Sequence, residues 1–242
     1  MASPVFGEFM GTMIMVLLGN TTVASILLKR SKGEGAGWMA ITTGWAFAVM
    51  AGVFVAIACG SRDAHLNPAV TIGFAVSTGN FAKFFPYAAA QILGAFCGAV
   101  LVWIHFHPHW EPTNDCEAIR ACFCTSPAIR NFPMNLVSEI IGTFALVFVV
   151  GAIFSKAVAE TGLAPGLGPY LVGSLVWGIG LGIGGTTGYA INPARDLGPR
   201  LAHSTLPIAN KGPSDWVYAF IPIIGPLIGG TLAGLLIRVI RF

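Results

Sequence analysis

The tripeptide Asn-Pro-Ala occurs once in each half of this chain, at Asn67-Pro68-Ala69 and Asn192-Pro193-Ala194. Each copy follows an apolar stretch and opens a short segment with helical character, too brief to cross a bilayer. Irregular backbone at membrane depth survives only where protein buries it or water lines it. Two such segments therefore predict half-helices that dip in from opposite faces and meet end to end at mid-depth. That arrangement makes a pore.

The membrane reading rests on composition. The chain has 242 residues, is 55% hydrophobic and 10% charged, and has a mean hydropathy of +0.77. A soluble domain carries about 25% charge. Several apolar runs approach the roughly 20 residues that a spanning helix needs. Membrane β-barrel strands alternate polar and apolar residues, and these runs do not. An all-helical membrane domain follows. The formal net charge of +3 is spread over loops and gives no sign of nucleic-acid binding. Glu8 interrupts the first apolar run, which continues well past signal-peptide length, so the run reads as the first membrane helix.

Full spans are expected at about 5–28, 38–58, 84–106, 136–156, 168–185 and 216–241. Re-entrant segments are expected at about 61–77 and 186–202. The halves repeat: Glu8-Phe9-Met10-Gly11-Thr12 matches Glu139-Ile140-Ile141-Gly142-Thr143 at an offset of 139 − 8 = 131, and Asn67 matches Asn192 at 192 − 67 = 125. Three full spans per half invert the second copy, which places the functional site at the repeat interface. The chain reads as a single channel domain over 1–242. Its repeats cover about 1–106 and 134–242, joined by a polar loop at about 107–133.

Several residues carry chemistry. Proline suits the first turn of a helix, and the asparagine before it can cap that turn. Two such N-termini put positive dipole ends at mid-membrane, where spare Asn amides can serve neutral hydroxyl solutes while cations are repelled. Arg195 lies three residues into the second half-helix. An embedded arginine is costly unless it lines a wet cavity, so it reads as a constriction residue; a buried salt bridge to Asp196 or a glutamate is the bland reading. Glu8 and Glu139 sit at equivalent places inside the membrane, where a carboxylate raises a functional suspicion such as a proton relay. Cys59 and Cys97 read as packing residues. Cys116, Cys122 and Cys124 share the polar loop; free thiols are the favoured reading, beside one disulfide or a metal site helped by His105, His107 or His109. No standard zinc spacing, paired catalytic carboxylates or nucleophile pair is present, so neither a metal, a cofactor nor an enzyme is expected. Lys29, Arg30, Lys32, Arg120, Arg130, Arg200 and Lys211 are expected on one face of the membrane. Lys83, Lys156, Arg238 and Arg241 are expected on the other, a weak orientation signal.

The runs His65-Leu66-Asn67-Pro68-Ala69-Val70-Thr71 and Gly188-Tyr189-Ala190-Ile191-Asn192-Pro193-Ala194-Arg195-Asp196 resemble the two signature loops of the aquaporin superfamily. The second is similar to its glycerol-facilitator (aquaglyceroporin) branch, and the likeness covers essentially the whole chain. The resemblance implies six spanning helices plus two half-helices, a homotetramer with one pore per subunit, a cell-membrane location and both termini in the cytoplasm. It implies passive passage of glycerol, other small uncharged solutes and water, with ions and protons excluded. A mainly water-selective channel is the first alternative and a coupled secondary transporter the second. It implies a selectivity filter of Trp45, Gly180, Tyr189 and Arg195, with Phe47 the fallback for Trp45. Water-selective relatives usually hold a histidine where Gly180 stands, and its missing side chain is expected to leave the opening wide. Carbonyls of Asp63, Ala64, His65, Tyr189 and Ala190 are expected to line the pore, with Gly184, Gly185 and Gly188 permitting the backbone this needs. His65 reads either as pore wall or as a packed residue. Asp196, with Glu8 and Glu139, is expected to brace the loops.

Overall fold

A computed structural model describes residues 2–241. Among them every regular element is a helix. Five helices have the length and apolarity to cross a membrane: α1 (Pro4–Leu27), α2 (Gly37–Ala58), α4 (Phe84–His105), α7 (Phe132–Ile153) and α10 (Phe220–Ile240). The half-helices are α3 (Pro68–Thr78) and α9 (Pro193–Thr205), and α8 (Leu167–Gly182) is the remaining apolar helix. At 1.5 Å per residue the 16 residues of α8 reach only about 24 Å. Its end is set where the Ile183 and Gly184 amides both return to the Ile179 carbonyl and the chain turns away. The expected loop at 107–133 contains two short helices, α5 (His107–Trp110) and α6 (Cys116–Ala121).

The start signals act as local chemistry predicts. Ser3, Asn67, Asn131 and Asn192 each accept a backbone N–H at a helix start that carries a proline in its first turn. Asn131 therefore begins α7 at Phe132, earlier than the expected Leu136. α10 begins later than expected. Asp215 adopts φ +50°, and two tight turns from Asp215 and Trp216 occupy the apolar stretch before Phe220.

The repeats interlock. Half-helix α3 of the first repeat lies against α10 of the second, α9 lies against α4, and α2 packs on α8. The approach is backbone to backbone. A Cβ on Gly230 would collide with the Ala69 carbonyl, and one on Gly234 with that of Gly73. Small residues allow such contact between membrane helices, where no hydrophobic force drives association. Each half-helix is thus clamped by the other half of the chain, and both Asn-Pro-Ala motifs arrive together at the centre.

Candidate pore and its constriction

Each re-entrant loop hangs on one buried glutamate. The Glu8 carboxylate, on α1, accepts from Ser61 Oγ at 2.6 Å, from the His65 and Leu66 amides at 2.9 and 2.7 Å, and from Gln91 Nε2 at 2.8 Å. On α7, Glu139 accepts from Thr187 Oγ1 at 2.7 Å and from the Ala190 and Ile191 amides at 3.0 and 2.8 Å. The loops need this grip. Ala64, Leu66, Tyr189 and Ile191 hold φ of +43°, +53°, +38° and +41°. Residues with a side chain enter that region at a cost of about 1–2 kcal/mol each. Hydrogen bonds to a buried charge return about 1.5–3 kcal/mol apiece. The unusual backbone therefore lies mainly in non-glycine residues; of the three glycines expected to supply it, only Gly188 has positive φ (+76°).

The two motifs are tied to each other. The Asn67 side-chain amide donates to the Ile191 carbonyl at 2.7 Å, and that of Asn192 donates to the Leu66 carbonyl at 2.8 Å. Each Oδ1 caps its own half-helix at Ala69 or Ala194. A primary amide has two N–H groups, so each asparagine keeps one beyond the crossed pair. Pro68 and Pro193 form the first turns, and the N-termini of α3 and α9 face each other across this knot.

Beside it runs a cavity of about 790 Å³. It opens among Arg62, Asn80, Lys83 and the turn 163–166, passes both asparagines, and ends at Trp45, Tyr189 and Arg195. Asp63, Ala64, His65, Tyr189 and Ala190 all line it, as do Leu66 and Ile191. At the exposed end the Asp63 carboxylate accepts from Lys83 and from the Tyr87 hydroxyl at 2.9 Å. His65 lines the wall and is also packed: Nδ1 lies 3.1 Å from Thr71 Oγ1 and the ring stacks on Phe74.

At the buried end the Arg195 guanidinium lies 4.3 Å from the Trp45 ring centroid, in face contact. Trp45 is 3% exposed, whereas Phe47 is 61% exposed on the outer surface. Arg195 makes no ion pair with Asp196. Asp196 is fully buried and pairs with Arg200 at 2.7 Å, and it accepts from the Thr125 amide and hydroxyl at 2.8 and 2.7 Å. It therefore fastens α9 to the segment 122–126. Arg200 also donates to the carbonyls of Thr125, Ser214 and Asp215. Counted among the charges on one face of the membrane, Arg200 is wholly buried and carries no orientation signal.

Gly180 differs from expectation. Its missing side chain does not leave open lumen, because the Tyr189 ring occupies the space. A Cβ at 180 would stand 3.0 Å from Tyr189 Cζ and 3.0 Å from Thr42 Cγ2. One helical turn on, a Cβ at Gly184 would meet Tyr189 Cδ1 at 2.5 Å. The two glycines form a flat seat that lets an aromatic ring lie down as a wall. Three polar atoms at this end of the cavity, Trp45 Nε1, Tyr189 Oη and Arg195 Nη1, are buried with no protein partner.

The sequence matches the major intrinsic protein family over residues 2–237. The chain belongs to that family. It is 52% identical over 242 residues to glycerol uptake facilitator protein 3 of Lactiplantibacillus plantarum, covering 99% of this chain and 98% of the relative. It is 52% identical over 226 residues to a probable glycerol uptake facilitator of Thermotoga maritima, covering 93% and 94%. Its fold is similar to the crystal structure of the aquaglyceroporin from Plasmodium falciparum, with a TM-score of 0.82, 27% identity and coverage of 97% and 94%. This member of the major intrinsic protein family is a multi-pass membrane channel, not an enzyme.

Within this family member, sequence reasoning missed the supporting residues. Thr125 carried no signal, since its partner Asp196 lies 71 positions away. The segment around it is not a free polar loop: Cys122, Phe123 and Cys124 are buried, while Cys116 is exposed. All five thiols are free.

Proposed function

We propose that this channel lets glycerol and other small uncharged polyols, with water, diffuse across the cell membrane through a constriction of Trp45, Gly180, Tyr189 and Arg195. The Arg195 guanidinium on the cavity wall, with Trp45 and Tyr189 beside it, carries this reading. A guanidinium there donates to the hydroxyls of a passing polyol. The Trp45 and Tyr189 rings beside it take its CH groups. The two half-helix N-termini and, beyond them, Arg195 put positive potential along the same path, which rejects cations and protons. The names of the relatives point to the same solute.

A water-selective filter fits less well. Among the five histidines only His65 lines the cavity, and it stands away from Trp45 and Arg195 beside Phe74 and Tyr87. Proton coupling fits less well too, because Glu8 and Glu139 spend their oxygens on the re-entrant loops. The assembly is a homotetramer with one pore per subunit and both termini in the cytoplasm. Stopped-flow swelling of proteoliposomes tests the cargo: glycerol and water both enter faster than in empty vesicles. A protein that passes water and excludes glycerol overturns the proposal.

A further inference from the structure

Trp38, on the first turn of α2, touches the constriction from outside. Its indole Nε1–H donates to the Gly180 carbonyl at 3.1 Å. Its ring meets the Tyr189 ring edge to face, with centroids 5.8 Å apart and planes at 82°. A Cβ on Gly184 would stand 3.0 Å from Trp38 Cζ2. Trp38, Gly180 and Gly184 thus pack around the Tyr189 ring, which lines the cavity. The Tyr189 hydroxyl makes no hydrogen bond, so nothing at its tip anchors the ring. The bracing must come from packing around it.

We propose that Trp38 is a positioning residue that sets the solute cut-off of this channel by pinning Tyr189 against its glycine seat. The inference rests on the filter assigned above. Neither Trp38 nor Gly180 lines the cavity itself; the Trp38 indole is turned to Gly180 and Tyr189, so it acts through the Tyr189 ring. Removal of Trp38 lets the Tyr189 ring retreat outward into the vacated space, which widens the constriction. The N–H anchor to Gly180 holds α2 to α8, across the two repeats, at the height of the constriction. The edge-to-face contact fixes the ring itself. An aromatic pair of this kind shifts a conformational equilibrium about twofold to tenfold, so the expected effect is a change of that order in selectivity.

The experiment measures uptake of water, glycerol and a five-carbon polyol by stopped flow in proteoliposomes of equal channel content. Trp38→Ala raises the ratio of five-carbon polyol to glycerol permeability about threefold or more. Trp38→Phe keeps a ring edge and loses the N–H; it restores most of the wild-type ratio and serves if the alanine variant does not fold. In a Tyr189→Ala background, Trp38→Ala leaves the ratio unchanged, because the group it positions is gone. An unchanged ratio in the single variants, with all fluxes falling together, refutes the positioning role. So does a Trp38 effect of equal size in the Tyr189→Ala background. A wild-type protein that excludes glycerol instead refutes the filter reading, and the two failures are distinct.

Discussion

Substituting Gly180 tests the seat beneath Tyr189 directly. A Cβ there stands 3.0 Å from both Tyr189 Cζ and Thr42 Cγ2, and ordinary contact needs at least 3.4 Å, so about 0.4 Å must be found. Thr42 gives little, since its hydroxyl is bonded to the Met39 carbonyl at 3.0 Å. Trp38 backs Tyr189 from outside. The ring therefore moves toward the cavity and narrows it. Overpacking of this size costs roughly 1–3 kcal/mol in a tight core. If about 1 kcal/mol of it falls on a wide solute in transit, glycerol flux drops about fivefold. Water is narrower and loses much less. Gly180→His adds a ring where not even a methyl fits, and its glycerol loss exceeds that of Gly180→Ala. The assay is paired glycerol and osmotic-water permeability on one proteoliposome preparation, scaled to channel content. Parallel losses of both solutes, or an alanine variant with wild-type glycerol flux, refute the seat and with it Gly180's place at the constriction.

Three further outcomes follow from the site. Arg195→Ala removes the fixed charge beside Trp45; proton leak, read with a trapped pH dye, rises while glycerol flux persists, and a variant that stays proton-tight places the barrier at the half-helix ends alone. Glu139→Gln keeps the size but turns an N–H group on donors that include the Ile191 amide, which costs roughly 3 kcal/mol; the melting temperature in detergent falls, and Glu8→Gln, with four donors to satisfy, falls at least as far. Burial pushes the Cys124 thiol up to about 12; at pH 8 its thiolate fraction is about one in ten thousand, so a maleimide labels exposed Cys116 in the folded protein and spares Cys124 until denaturant is added.

How much of this was legible depended on how far each residue's partner lies along the chain. Caps and first turns are local, so Asn67-Pro68 and Asn192-Pro193 announced both half-helices, and α3 and α9 start where the motifs put them. Glu8 and Glu139 could be read as a pair because the repeat displays them twice. The role of Gly180 could not, since an absent side chain says nothing about the ring that fills its place. Asp196 and Arg200 form a local pair at i and i+4, yet Thr125, which binds the same carboxylate, belongs to a segment whose cysteines and arginines suggest solvent. The apolar run Trp216-Val217-Tyr218-Ala219 read as helix, but the turns from Asp215 close first. Trp38 read only as the start of a span.

The repeat also explains why a symmetric scaffold yields a one-sided filter. At the 125-residue offset, Asn67 pairs with Asn192, Leu66 with Ile191 and Ala64 with Tyr189. Backbone roles are conserved between the copies: both members of the last two pairs hold positive φ, and the two asparagines exchange hydrogen bonds with the opposite loops. Side chains are not. Ala64 faces the cavity with a methyl where Tyr189 presents a ring. Val70 stands where the second copy has Arg195, Thr71 where it has Asp196, and Ala75 where it has Arg200. The pore therefore comes from what the halves share, two glutamate-braced loops joined at crossed asparagines. On the proposed filter, the cut-off and the charge barrier come from what only the second half carries, set against Trp45 from the first. Exchanging Val70 and Arg195 would move the charge to the other side of the asparagine knot, away from Trp45. It would leave the crossed hydrogen bonds intact but strip the end at Trp45 of its guanidinium.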